Sequence, residues 1–257
     1  MNGYLESLFS LKGQVAIITG GGRGLGRGMA IALAGAGAEA VLISRTADEL
    51  NTTVQEIRQA GGQADAYPGD VCKVEEMIDL IQSIHSAKGR VDILVNNAGF
   101  AVRKPAMEFT LDDWERQVDV NLKAAYFIAQ VTGKIMKDQG RGKIINIASL
   151  SSYIGLQNAS VYGITRGGIL SMTRSLAIEW ARYRINVNAI APGYFQTKQT
   201  APVFADEKRR EWILSRIPLG RSGLPEDLAG AAVFLASKAS DYMTGQIIIV
   251  DGGWLAG

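Results

Sequence analysis

The stretch VAIITGGGRGLG, Val15 to Gly26, decides the fold. Its apolar start, rich in β-branched residues, predicts a buried strand over 15–18, and helical periodicity over 24–36 follows the glycines. Glycines let the backbone turn tightly and approach a pyrophosphate closely, while a helix N-terminus offers free N–H groups and a positive dipole end. A glycine cluster alone marks any turn. Strand, glycine loop and helix in this order are what a dinucleotide-phosphate site requires.

The same alternation runs outward along the chain. Apolar runs at 15–18, 40–44, 92–96, 143–148, 185–190 and 246–250 predict strands, with helical segments at 24–36, 47–60, 73–87, 111–137, 159–182 and 225–236 between them. Strands that are apolar throughout suit a sheet buried on both faces, and the alternation points to right-handed βαβ units. The expected fold class is α/β, a doubly wound parallel sheet (Rossmann fold), in a single domain spanning all 257 residues. Thr110 with Asp113 has the form of a capping box opening the long helix, which carries Asn121 about three turns in. Ligands in such sheets bind beyond the carboxyl ends of the strands. The segments to inspect are therefore 19–26, 44–46, 69–72, 96–99, 148–153 and 191–198.

Composition excludes several other classes. A net charge of +2, from 27 basic and 25 acidic residues spread evenly, leaves no basic tract for nucleic acid. No apolar run approaches the ~20 residues that span a bilayer, and MNGYLESLFSLKG does not have the form of a secretion signal, so a cytoplasmic protein without a membrane partner is expected. The single cysteine, Cys72, reads as a buried thiol, and no metal site is expected. His85, the one histidine, reads as helix surface, and no G-x-S-x-G elbow supports a Ser-His-Asp hydrolase.

The second strand ends in Ser44-Arg45-Thr46, where an NAD site would present an acid to the adenosine ribose. Arg45, joined by Arg23 of the glycine loop, would instead hold a 2′-phosphate by charge-assisted hydrogen bonds. The expected cofactor is NADP.

These residues resemble the short-chain dehydrogenases/reductases. The family's T-G-x-x-x-G-x-G matches Thr19, Gly20, Gly24 and Gly26, its N-N-A-G matches Asn96 to Gly99, its Asp-Val element matches Asp70 and Val71, and its P-G element matches Pro192 and Gly193. The C-terminal TGQIIIVDGG is similar to the family's last strand, so the resemblance covers almost the whole chain. It implies that Gly20, Gly22, Arg23 and Leu25 line the pyrophosphate and ribose, and that Asp70 and Val71 meet the adenine. It further implies that Asn97, Ala98 and Gly99 pass close to the cofactor, and that Phe195 and Thr197 touch the nicotinamide.

The family works with an Asn-Ser-Tyr-Lys tetrad. Ser149 stands thirteen residues before Tyr162, and Asn121 matches the family's Asn. Reducing a carbonyl needs a hydride at carbon and a proton at oxygen, and a phenol can give that proton once its pKa of about 10 is lowered. Ser149 would hydrogen-bond the substrate oxygen as an oxyanion hole does. The lysine position is Arg166, four residues after Tyr162, which departs from the pattern. A unit charge ~4 Å from the phenol at an effective dielectric near 20 is worth about 4 kcal/mol before screening, so arginine can still lower the phenol's pKa. Its planar fork is a poor match for two ribose hydroxyls, and it cannot release a proton for relay. Slowed turnover is expected.

Within the family, LFSLKG, GGGRGLGR and APGYFQT look most like gluconate 5-dehydrogenase and related sugar-acid oxidoreductases, which interconvert a hydroxyl and a ketone. Arg103 would suit the substrate's carboxylate, or serve as a solvated loop cation. Residues 194–216 read as a lid. Reduction of a 3-oxoacyl thioester or a bicyclic ketone stays open, as does a non-catalytic NADP sensor. The resemblance implies a homotetramer.

Overall fold

The computed structural model describes residues 3–257. Among them the strands β1 (Val15–Thr19), β2 (Glu39–Ser44), β3 (Gln63–Pro68), β4 (Ile93–Asn96), β5 (Gly142–Ile147), β6 (Ile185–Pro192) and β7 (Ile247–Val250) form one parallel sheet in the order β3-β2-β1-β4-β5-β6-β7. The helices are α1 (Gly3–Phe9), α2 (Gly24–Gly35), α3 (Ala47–Gln59), α4 (Val74–Lys88), α5 (Leu111–Val118), α6 (Ala124–Gln139), α7 (Ser160–Trp180), α8 (Ala201–Ala205), α9 (Glu207–Ser215) and α10 (Ala229–Ala236). The strand order reverses between β1 and β4, the switch point at which an open α/β sheet binds its ligand. No helix among the described residues is long and apolar enough to cross a membrane.

Each face of the sheet carries its own core. Met77 and Ile81 of α4, Ile128 and Ala129 of α6 and Ile169 and Leu176 of α7 pack on one side. Met29 and Leu33 of α2, Leu50 and Ile57 of α3 and Ala232 and Leu235 of α10 pack on the other. A third, smaller cluster joins Tyr194, Val203, Ile213 and Ile217 to the C-terminal Trp254, so the segment over the strand ends has its own apolar anchor.

Several elements differ from the sequence expectation, among them the helices α1, α8 and α9, which lie outside the expected helical segments. β3, with sequence QADAYP, lies outside the expected apolar runs because an edge strand has one neighbour and tolerates polar residues such as Gln63 and Asp65. The helix expected over 111–137 opens with the Thr110–Asp113 capping box, but a π turn at Asp119–Lys123 separates α5 from α6. The inserted residue is absorbed within a single wide turn, and no glycine or proline in DVNLK marks it in the sequence. The segment expected as helix over 225–236 starts as a 3₁₀ turn, Pro225–Leu228, before α10.

Candidate active site

The glycine loop is a cradle that side chains would fill. Gly20 and Gly24 hold positive φ angles of 66° and 54°. A Cβ on Gly26 would stand 2.2 Å from the Gly20 carbonyl, and one on Gly20 would stand 2.8 Å from Asn97 Nδ2. Arg23 is the N-cap of α2 and its side chain makes no capping bond, so the first-turn N–H groups remain for an anion. Gly22 and Leu25 complete the loop, packed on α3 and the adjoining core respectively. Thr19 ties the loop to the next strand end: its Oγ1 accepts from the N–H groups of Asn97 at 3.0 Å and Ala98 at 3.1 Å, while Asn97 Nδ2 donates to the Thr19 carbonyl at 2.9 Å. Asn96, by contrast, faces inward and bonds Asn146 and the Ala125 carbonyl.

At the end of β2, Ser44 Oγ is buried without a partner, and Arg45 is exposed with no ion-pair partner among the described residues. Thr46 caps α3 in extended conformation without using its side chain. Two residues the sequence did not single out belong here: Glu49 accepts from Lys198 at 2.9 Å and from Arg23 at 3.4 Å. The Lys198 hydrogen bond, helped by the charge of Arg23, holds the Glu49 carboxyl below the usual range although burial opposes it. Beyond β3, Asp70 Oδ1 accepts from the Cys72 N–H at 3.0 Å and Val71 is buried. Burial, seconded by Asp70, pushes the Cys72 thiol up.

After β6, Gly193 lies against Asp251, where a Cβ would stand 2.7 Å from the Asp251 Cα. Pro192 closes the strand. The Phe195 ring turns into the core beside Gly223, so it presents backbone rather than ring outward. The Thr197 methyl lies 3.5 Å from where a Gly24 side chain would begin, which brings residue 197 across the glycine loop.

The reacting end is built by β5, α7 and the π turn. Ser149 caps a 3₁₀ turn, Leu150–Ser152, with its Oγ accepting from the Ser151 N–H at 3.2 Å. Tyr162 lies in the first turn of α7, and the Arg166 guanidinium one turn on sits 5.1 Å from the centre of its ring. Burial raises the phenol's pKa, but Arg166, the Ser149 hydroxyl and Arg103 together outweigh it, and the net shift is downward.

Arg166 is 5% exposed and has no carboxylate partner among the described residues. One donor, Nη1, is spent on the Ile147 carbonyl at 2.7 Å; Nη2 lies against Gly99, and Nε is buried without a partner. A buried cation without an acid favours any anion it can reach, and the nearest candidate is the Tyr162 phenolate. Asn121 projects from the π turn, accepting from the Phe100 N–H at 2.9 Å and donating to the Phe100 carbonyl at 2.8 Å and Thr165 Oγ1 at 3.2 Å. Arg103 follows on that same loop, with Nη1 buried and unpartnered.

The glycine cradle, the uncapped start of α2 and the orphaned Ser44 Oγ and Arg166 Nε fit a dinucleotide lying across the strand ends, with its reactive ring toward Tyr162. Comparison with known proteins agrees. A family model described as "Enoyl-(Acyl carrier protein) reductase" matches residues 20–255. The chain belongs to the short-chain dehydrogenases/reductases, and it is an oxidoreductase of the nicotinamide-dependent kind. Among its relatives it is 46% identical to 2-dehydro-3-deoxy-D-gluconate 5-dehydrogenase of Bacillus subtilis over 99% of both chains. It is 40% identical to gluconate 5-dehydrogenase of Gluconobacter oxydans over 96% of both. Its fold matches the crystal structure of a gluconate 5-dehydrogenase from Burkholderia cenocepacia in complex with NADP and tartrate, with a TM-score of 0.95 and 38% identity over 98% of this chain and 99% of that one.

Proposed function

We propose that this protein is an NADP(H)-dependent enzyme interconverting a secondary alcohol and a ketone on a sugar acid, such as gluconate and 5-ketogluconate. The observation that carries the substrate class is Arg103, a buried guanidinium donor without a partner on the loop beside Tyr162. Such a group is costly unless a carboxylate meets it. The relatives' names and the tartrate complex support an acid substrate.

The nicotinamide, when bound, supplies or takes the hydride. Gly20, Gly22, Arg23, Gly24, Leu25 and Gly26 hold the pyrophosphate. Arg45 and Arg23, with Ser44 and Thr46, take the 2′-phosphate and ribose. Asp70 and Val71 flank the adenine, while Asn97, Ala98, Gly99, Pro192, Gly193, Phe195 and Thr197 wall the nicotinamide end. Ser149 hydrogen-bonds the substrate oxygen and Tyr162 gives it a proton in reduction or takes one in oxidation. Arg166 holds the phenol's pKa down, and Asn121 fixes the loop that carries Arg103. Residues 194–216 act as a lid, with α8 and α9 packed over Trp254. The setting is cytoplasmic and the assembly a homotetramer, supported by apolar side chains left exposed on α5, α6, α7 and β7.

The test follows absorbance of NADPH and NADH in parallel against 5-ketogluconate, an acetoacetyl thioester and a bicyclic ketone. Consumption of NADPH with the sugar acid, and a KM raised at least tenfold by Arg103→Met, are expected. Faster turnover of either other ketone, or an unmoved KM in the variant, overturns the substrate class. Silence with every ketone favours a sensor.

A further inference from the structure

Gln117 is a glutamine at a core position. It is the one buried residue of α5, 0% exposed, on a helix whose other residues are partly or fully in solvent. Its Oε1 accepts from the Val102 N–H at 2.5 Å, and its Nε2 is buried with no acceptor. A backbone N–H can only donate, so the amide's orientation is determined and Nε2 is the group left over. Leaving a buried donor unmade costs more than the typical net value of one hydrogen bond. An apolar side chain would escape that cost.

The position explains what the amide is for. Gln117 and Asn121 are one turn apart across the start of the π turn and grip the same loop: Asn121 holds Phe100 by both its N–H and its carbonyl, and Gln117 holds Val102. The next residue is Arg103, whose own Nη1 is a second buried donor without a partner. Two buried donors without partners are therefore tied to one short loop at the reacting end.

We propose that Gln117 is the positioning residue for the acid group of the substrate: by fixing Val102 it sets where Arg103 stands, and it acts on substrate affinity through that arginine. The proposal rests on the carboxylate being held by Arg103. Steady-state kinetics with 5-ketogluconate and NADPH on Gln117→Leu, Arg103→Met and the double variant, with NADPH affinity measured by fluorescence, test it. Gln117→Leu should raise KM about tenfold with a much smaller change in kcat and the same NADPH affinity, and should add nothing further in the Arg103→Met background. A fall in kcat with KM unmoved, or full additivity of the two substitutions, overturns it. If Arg103→Met itself leaves KM unmoved, it is the carboxylate assignment that fails; if Arg103→Met raises KM and Gln117→Leu does not, only the positioning role fails. Should Gln117→Leu not fold, Gln117→Met removes the acceptor for Val102 at nearly the same volume. That variant should raise KM as well, and an unmoved KM there also overturns the proposal.

Discussion

Arg166 shows how one side chain can do part of another's work. It is permanently charged, one turn from Tyr162, and buried without an acid, so it stabilises the phenolate and the phenol's pKa falls. Alcohol oxidation needs the phenolate, so its kcat should rise with pH through a midpoint below about 10; ketone reduction needs the phenol and should fall through the same midpoint. Replacing Arg166 by Met removes the cation and should move that midpoint upward. A pH–rate profile of the variant superimposable on the parent would show that the cation does not tune the phenol. What arginine cannot do is equally physical: one donor is committed to Ile147, and guanidinium does not release protons at working pH. Arg166→Lys should therefore raise kcat severalfold, read by NADPH oxidation at saturating substrate, and no gain would remove relay as the limiting factor.

At the scale of elements, the site is two clamps on the ends of a parallel sheet. The first joins the glycine loop to the turn after β4 through Thr19 and Asn97, and it leaves no room at Gly26, where a methyl would lie 2.2 Å from the Gly20 carbonyl. Gly26→Ala should force the loop to shift, at about 1–3 kcal/mol of strain, and weaken NADPH binding roughly tenfold or more. Fluorescence titration beside circular dichroism separates this from unfolding; undiminished affinity would mean that the loop is not the phosphate cradle. The second clamp is the α5–π–α6 helix, whose inward amides hold the 100–103 loop. Lys198 adds a link between the two halves, since it carries the start of the 194–216 segment onto Glu49 at the edge of the glycine loop.

For the whole molecule, two large cores cover the two faces of the sheet, and the uncovered apolar groups lie where the proposed tetramer would join its copies. Leu111, Trp114, Tyr126, Ile164 and Ile178 are exposed on the neighbouring helices α5, α6 and α7, and Ile178 is 81% exposed. Single exposed apolar residues are ordinary, whereas a set on packed helices is the surface that the proposed tetramer would bury. Ile164→Glu with Ile178→Glu should convert a tetramer into a smaller species by sedimentation velocity while far-ultraviolet dichroism stays the same. A parent chain that sediments as a monomer would refute the assembly.

Local chemistry was enough for much of this. The parallel sheet follows from buried apolar strands alternating with helices, because that pattern depends on residues near one another in sequence, while the proposed phosphate loop rests on glycines between strand and helix and the proposed tetrad on the resemblance to the family. β3 escaped because an edge strand need not be apolar, and the π turn at Asn121 because no glycine or proline marks it. Only the tertiary structure decided which polar groups lost their water: that Arg166 is buried without an acid, that Gln117 sits in the core holding Val102, that Glu49 meets Lys198 across 149 residues of chain and Arg23 across 26. Burial and pairing between distant segments depend on how the elements pack, and no local pattern in the sequence encodes them.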